Sequence, residues 1–468
     1  MERRLYEELK EYSGRDVRPF HMPGHKRRIK LMDELYSVDI TEIDGFDDLH
    51  EAEGILREGM DRMAEAVGAK RSWYLVGGST CGILSAVHAA AKPQGTILVD
   101  RNCHRSAANS ILLRRLYPIY IYPQYVDKWG ISRGLSVDKV EEACEQAGEN
   151  PVLILTSPTY EGHVCAVKEI AEVIHRRGGL LIVDEAHGAH LPYARGTDFP
   201  ESAVNLGADL VIQSLHKTLP ALTQSAALHL CSDRVGEEEI EDALRIYETS
   251  SPSYVMMAGM DECVRFMQEK GGSLLSDLHG RLTAFYGSAG QWKNLEVYGE
   301  TRDRDISRIL IRAKDYPGSG RALAGLLREA GIEPEYCSPD FVLLIATLAD
   351  TEEAFGKLTK ALTEADRRIE SGLRNAGSSD VRLPEAKVRM APWLADEADK
   401  ERTALSGAVG RISGEMVYLY PPGVPFIMPG EEIVQEHADL IRKYREGGFS
   451  LSGLRDRTGE SLLCLKES

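Results

Sequence analysis

Residues 95–100, 119–122, 152–156, 180–184 and 210–214 are short runs dense in Ile, Val and Leu. Stretches with helical spacing of apolar residues, among them 137–147 and 167–177, lie between several of these runs. Continuous apolar runs mark strands buried on both faces, and helical crossovers between them mark parallel pairing. The pattern predicts an α/β domain over 61–295, built on a mainly parallel sheet flanked by helices.

The flanking sequence has a different texture. Residues 1–12 read as a short amphipathic helix and 53–67 as a second helix. Between them, 18–26 form a polar arm with Gly and Pro, too poor in apolar residues to fold alone. Segment 1–60 is therefore expected to wrap another surface. From about 300 onward the expected order is strand 306–311, helix 319–330, strand 341–347 and helix 351–371. A mixed Gly/Pro/charged connection follows over 372–400. Strand 414–420, a Pro-rich turn at 421–425 and helix 431–444 complete the chain. This predicts a smaller C-terminal α+β domain over 296–468.

Composition narrows the function. Of 468 residues, 73 are acidic and 56 basic, a formal charge of -17 with no basic stripe, which argues against a nucleic-acid binder. The eight cysteines are scattered without a C-x-x-C pair, which fits a reducing cytosol better than a disulfide framework or zinc site. The first residues lack an apolar signal segment, and no apolar run approaches the ~20 residues of a membrane span. A cytoplasmic protein is expected.

Ligands of parallel α/β sheets bind beyond the carboxyl ends of the strands. Four predicted strands end there in reactive groups: Asp100 leading to His104, Thr156 leading to Thr159, Asp184 leading to His187, and Ser214 leading to His216 and Lys217. A lysine so placed, its pKa lowered by burial, is an imine-forming nucleophile. Pyridoxal 5'-phosphate would need an acid on its ring nitrogen, a phosphate cradle and a flat stacking partner. Asp184 suits the first, keeping the ring an electron sink. The Gly77–Gly78–Ser79–Thr80 turn, before a small-residue helix at 83–91, suits the second, with Ser214 adding a hydroxyl. His104 suits the third. Each alone has a bland reading: a solvated lysine, a capping aspartate, a structural turn, a packed histidine. Their order on successive α/β units is what carries the assignment.

Two rival readings are weak. Asp184-Glu185-Ala186-His187 spells the D-E-A-H of some helicases, but the chain has no G-x-x-x-x-G-K-[ST] loop. His187 and His190 share a metal-like spacing, but no third ligand lies at useful distance in sequence.

Beyond these residues, the chain resembles the ornithine/lysine/arginine decarboxylases of the aspartate-aminotransferase fold. The resemblance rests on segments 21–26, 39–42, 45–50, 78–80, 101–106, 157–162, 184–188, 214–217, 420–423 and 429–431, and so spans nearly the whole chain. It looks like the shorter branch, without an N-terminal wing domain. The resemblance implies a seven-stranded sheet and roles for individual residues. Lys217 would carry pyridoxal phosphate, Asp184 would pair with its ring nitrogen, and His104 and Ala186 would cover its two faces. Ser79, Thr80, Ser214 and His216 would hold or flank the phosphate, while Thr159 and His187 would line the site.

The implied reaction is decarboxylation of a basic L-amino acid in polyamine biosynthesis, with arginine favoured over lysine or ornithine. Lys217 or His216 would return the proton to the α-carbon. The substrate's cationic end needs an acid, for which Asp44, Asp47, Asp48 and Glu431 are candidates. A homodimer or dimer of dimers is implied, with the N-terminal arm and Glu431 serving the neighbouring subunit. The alternatives are another reaction on the same scaffold, such as transamination or C–S lysis, and a non-catalytic regulatory relative that binds the cofactor.

Overall fold

The computed structural model describes residues 16, 18–20, 26, 40–42, 46–316, 318–372 and 382–467. The helix expected at 1–12 and most of the arm, Asp44 included, lie outside them. The expected runs form strands as read, and two further strands complete a seven-stranded sheet. In chain order these are β1 (Arg71–Leu75), β2 (Thr96–Asp100), β3 (Tyr117–Ile121), β4 (Val152–Thr156), β5 (Leu180–Asp184), β6 (Leu210–Ser214) and β7 (Ala226–Leu230). The sheet order is β1-β7-β6-β5-β4-β2-β3, with β7 antiparallel to both neighbours and β6, β5, β4, β2 and β3 mutually parallel.

The central strands have almost no exposed side chains, as expected of a sheet covered on both faces. Helix Val167–Arg176 lays Val167, Ile170, Ala171, Val173 and Ile174 on one face, alongside Leu153, Leu155 and Val183 of the sheet. On the other face, helix Gly78–Ala90 buries Cys81, Ile83, Ala86 and Val87. The closeness of this second packing fixes Gly82, where a Cβ would come within 2.6 Å of Leu75 and 3.0 Å of Ile212.

A four-stranded antiparallel sheet follows, ordered Leu295–Val297, Arg308–Ala313, Phe341–Ile345, Tyr336–Cys337. Helices Gly320–Glu329 and Glu352–Gly372 pack with it as the periodicity predicts. The edge strand Arg18–Phe20 pairs in parallel with Ile332–Pro334, so part of the arm does lie on the C-terminal portion of its own chain. Residues 405–465 carry a separate apolar cluster around Val417, Phe426, Ile441 and Tyr444.

Candidate active site

Hydrogen-bond register sets the ends of β2, β4, β5 and β6 side by side: Thr156 faces Asp184, and Asp184 faces Ile212. Asp100, buried at the end of β2, ties these ends together by accepting from the amides of Asn102 (2.9 Å) and Thr156 (3.3 Å). Beyond them lies a cavity of about 350 Å³. Its wall includes Lys217, Asp184, Ala186, His187, His104, His216, Ser79, Thr80 and Ser214, residues brought together from 138 positions of sequence.

The helix that follows β1 begins at Gly78, five residues earlier than its small-residue run suggests. Ser79 and Thr80 therefore sit in its first turn, where free amides and the helix dipole favour an anion. Gly78 has φ 73°, a conformation glycine adopts without strain. The Ser79 and Ser214 hydroxyls lie 2.6 Å apart, joining this turn to the end of β6. Glu248 accepts from the Gly77 amide (2.9 Å) and Gln224 donates to the Val76 carbonyl (2.8 Å), bracing the turn from behind.

Lys217 Nζ lies 3.0 Å from His187 Nε2. Burial pulls the lysine pKa down, Asp184 opposes that, and Arg308 adds to it. Arg308 is fully buried behind His187, donating from Nη2 to the His187 carbonyl (2.8 Å) and to Nδ1 (3.3 Å). A guanidinium cannot accept, so His187 Nδ1 is the acceptor and the proton of the neutral ring sits on Nε2. Nε2–H then donates to Lys217, which must offer a lone pair. The contact therefore selects the neutral amine, the form that attacks a carbonyl. The same burial, with Lys217 and Arg308 nearby, holds His187 well below the usual histidine range.

Asp184 is buried, and desolvation raises its pKa against the opposing effect of Lys217 and the Ala186 amide, which donates at 3.1 Å. A buried carboxylate in this state gains from a cationic nitrogen. His104 caps helix Arg105–Arg114, its Nδ1 accepting from the Ser106 amide at 3.2 Å. Its ring rests on Gly423, where a Cβ would stand 2.9 Å away. Burial and the neighbouring Lys217 push its pKa down to about 3, so it presents a neutral flat face. His216 is held by the Ser225 carbonyl, 3.0 Å from its Nδ1. A lysine of lowered pKa, a buried acid, a hydroxyl-rich helix start and a neutral imidazole face fit the needs of pyridoxal phosphate.

Other expected site residues lie elsewhere. Thr159 is fully buried behind the wall, where its hydroxyl serves the Glu161 carboxylate and the His163 amide (3.2 Å). Asp47 accepts from the amides of Glu53, Gly54 and Leu56 (2.7–3.1 Å), and Asp48 from His50, so both are engaged as caps. Glu431 is 0 % exposed and forms a two-pronged pair with Arg101 (3.1 and 3.2 Å). Glu185, next to Asp184, points away and accepts from Ser202, Ala203 and Gln213 (2.6–2.7 Å). His190 faces Asp305 at 3.5 Å, and the described residues hold no metal-type cluster.

Sequence reasoning assigned no role to Arg308, Glu248 and Glu335, which lie far from the motifs in sequence, or to Gln224, which follows Lys217 by seven residues. Glu335 reaches the cavity from the four-stranded sheet and accepts from the Tyr160 hydroxyl at 2.7 Å.

Comparison with known proteins agrees with this geometry. A family model described as "Orn/Lys/Arg decarboxylase, major domain" matches residues 4–285, and its "C-terminal domain" counterpart matches 382–453. The arginine decarboxylase of Bacillus subtilis (strain 168) is 30 % identical, covering 99 % of this chain and 98 % of that protein. The uncharacterized protein YaaO of the same organism is 32 % identical, covering 94 % and 93 %. Among solved structures, the Francisella novicida lysine decarboxylase LdcF superposes with a TM-score of 0.77 at 18 % identity, covering 92 % of this chain and 74 % of that one.

Proposed function

The chain belongs to the Orn/Lys/Arg decarboxylase family, and from that premise we propose that it removes the α-carboxylate of L-arginine as carbon dioxide. The protein is an enzyme that decarboxylates a basic amino acid with pyridoxal phosphate as cofactor. The observation that carries the reading is the single cavity holding Lys217, Asp184 and the Ser79–Thr80–Ser214 hydroxyls.

When bound, the cofactor supplies an electron sink for the bond that breaks. The chain's own residues do the rest. Lys217 would hold the cofactor through its carbonyl, and His187 and Arg308 favour the neutral amine this needs. Asp184 would stabilise positive charge at its ring nitrogen. His104 and Ala186 would hold its ring, and the first turn of helix Gly78–Ala90 would hold its phosphate. Among the described residues, no arginine lines the cavity wall. A carboxylate there has no guanidinium to anchor it, which favours its loss over transamination, because an ion pair made only in the ground state would raise the barrier. Lys217 or His216, which both line the cavity, would return a proton to the α-carbon.

The preference for arginine over lysine and ornithine is supported by full-length similarity to proteins named arginine decarboxylase. A homodimer working in the cytoplasm is part of the same proposal, checked by light scattering on the purified protein and by cell fractionation; no described helix is long and apolar enough to cross a membrane. The decisive assay supplies purified, cofactor-loaded protein with single amino acids and measures carbon dioxide and the amine formed. Keto acid without carbon dioxide would sink the decarboxylase reading.

A further inference from the structure

A second, smaller cavity of about 90 Å³ adjoins the reactive one, and the two share Asn102, Glu161, Pro422 and Val424 in their walls. A ligand bound at Lys217 can therefore extend past Glu161 into it. Tyr125, Tyr336, Phe341 and Tyr444 give this annex aromatic walls.

Among the described residues, one carboxylate here lacks a counter-ion and one hydroxyl lacks a partner. Glu161 follows β4 in a turn closed by the Gly162 amide donating to the Thr159 carbonyl (2.9 Å). Gly162 has φ 100°, and a Cβ there would meet the Asp305 carbonyl at 2.6 Å, so the turn that carries Glu161 depends on glycine. The Glu161 carboxylate takes hydrogen bonds from the Thr159 hydroxyl and its own amide, and Arg304 acts on it only at a distance. Among the described residues it has no ion pair, and burial pushes its pKa up to about 7. Tyr444 is 0 % exposed, and its hydroxyl has no partner among the described residues. A buried carboxylate without a counter-ion and a buried hydroxyl without a partner are costly, and such groups are tolerated where a ligand completes them.

We propose that Glu161 and Tyr444 form the subsite for the cationic end of the substrate, and that the annex selects a guanidinium. This deepens the decarboxylase reading and rests on it. A guanidinium is planar, stacks on aromatic rings and is weakly hydrated, so entering an aromatic annex costs it less than it costs an ammonium. Its fork of donors suits a carboxylate and a hydroxyl, and Glu161 and Tyr444 both line the annex. Glu161 thus takes the role for which Asp47 and Glu431 were candidates.

The test uses cofactor-loaded Glu161→Gln and Tyr444→Phe with arginine, lysine and citrulline, the neutral isostere of arginine. Glu161→Gln should raise KM for arginine about 10- to 100-fold, the worth of a charged hydrogen bond, while the preference for arginine over citrulline collapses. The visible absorbance of the lysine-bound cofactor should be unchanged. Tyr444→Phe should raise the same KM about three- to tenfold. It should also leave thermal stability unchanged or higher, because it removes a buried unpaired hydroxyl. Calorimetric binding of agmatine, which keeps the guanidinium and lacks the carboxylate, should weaken in step with KM.

An unchanged KM and agmatine affinity in Glu161→Gln, with wild type releasing carbon dioxide, would overturn the subsite and leave the decarboxylase reading intact. A wild type that releases no carbon dioxide yet binds agmatine through Glu161 would do the reverse. Loss of the cofactor absorbance in Glu161→Gln would assign the residue to the cofactor and also overturn the proposal.

Discussion

Glu431→Ala separates two accounts of one carboxylate. As a substrate ligand, Glu431 would be expendable for folding, and its loss would raise KM. In the structure it is 0 % exposed and faces Arg101, itself 2 % exposed, through contacts of 3.1 and 3.2 Å. Its Oε2 also accepts from the Met428 amide at 2.8 Å, and Arg101 donates onward to the Pro425 carbonyl. This pair joins the end of β2 to the 405–465 cluster. Removing one partner strands a buried guanidinium, which costs about 3–5 kcal/mol. With a urea slope of about 3 kcal/mol per molar, the unfolding midpoint should fall by about 1 M or more. The assay is urea unfolding followed by far-UV circular dichroism, with KM for arginine measured at low urea. Replacing both partners by apolar residues, Arg101→Met with Glu431→Leu, should restore most of the loss, since no charge is then left buried alone. A Glu431→Ala protein with an unchanged midpoint and a raised KM would refute the structural assignment.

Three further outcomes follow from the site. Lys217→Ala should abolish the visible absorbance of the lysine-bound cofactor together with carbon dioxide release; retention of both would overturn the assignment of Lys217. Asp184→Asn should keep that absorbance but slow carbon dioxide release about 10- to 100-fold, because a charged hydrogen bond is worth about 1.5–3 kcal/mol; single-turnover kinetics report it. Capture of added pyridoxal phosphate by cofactor-free protein should quicken as pH rises through the lowered Lys217 pKa, since only the neutral amine reacts. The sign of each neighbour is fixed: Arg308→Gln removes a cation and should move that profile to higher pH, whereas Asp184→Asn removes an anion and should move it lower. A shift of either variant in the opposite direction, read by stopped-flow absorbance, would contradict the electrostatic picture.

The sequence alone determined the parallel strands and which polar side chains stand at their ends. Runs such as 152–156 and 180–184 are apolar throughout because both faces are covered, and that pattern is local. Lys217, Asp184 and the Ser79–Thr80 turn were legible for a related reason: in a parallel sheet the carboxyl end of every strand opens on the same side, so position along the chain already implies convergence.

Other features depended on distance in the fold. β1 and β7 escaped the pattern because Arg71 and Ser72 interrupt one, and Ala226, Ala227 and His229 dilute the other; cross-strand pairing makes them strands, including the Ser72–His229 contact at 2.7 Å. The choice among carboxylates was also tertiary. Asp47, Glu431 and Glu161 are alike as letters, and what separates them is whether a partner already satisfies the charge. Asp47 has backbone amides, Glu431 has an arginine 330 positions away, and Glu161 lies beside an aromatic annex with no cation paired to it among the described residues. A side chain's type is written locally, but its charge balance is set by groups that only folding brings within a few ångströms.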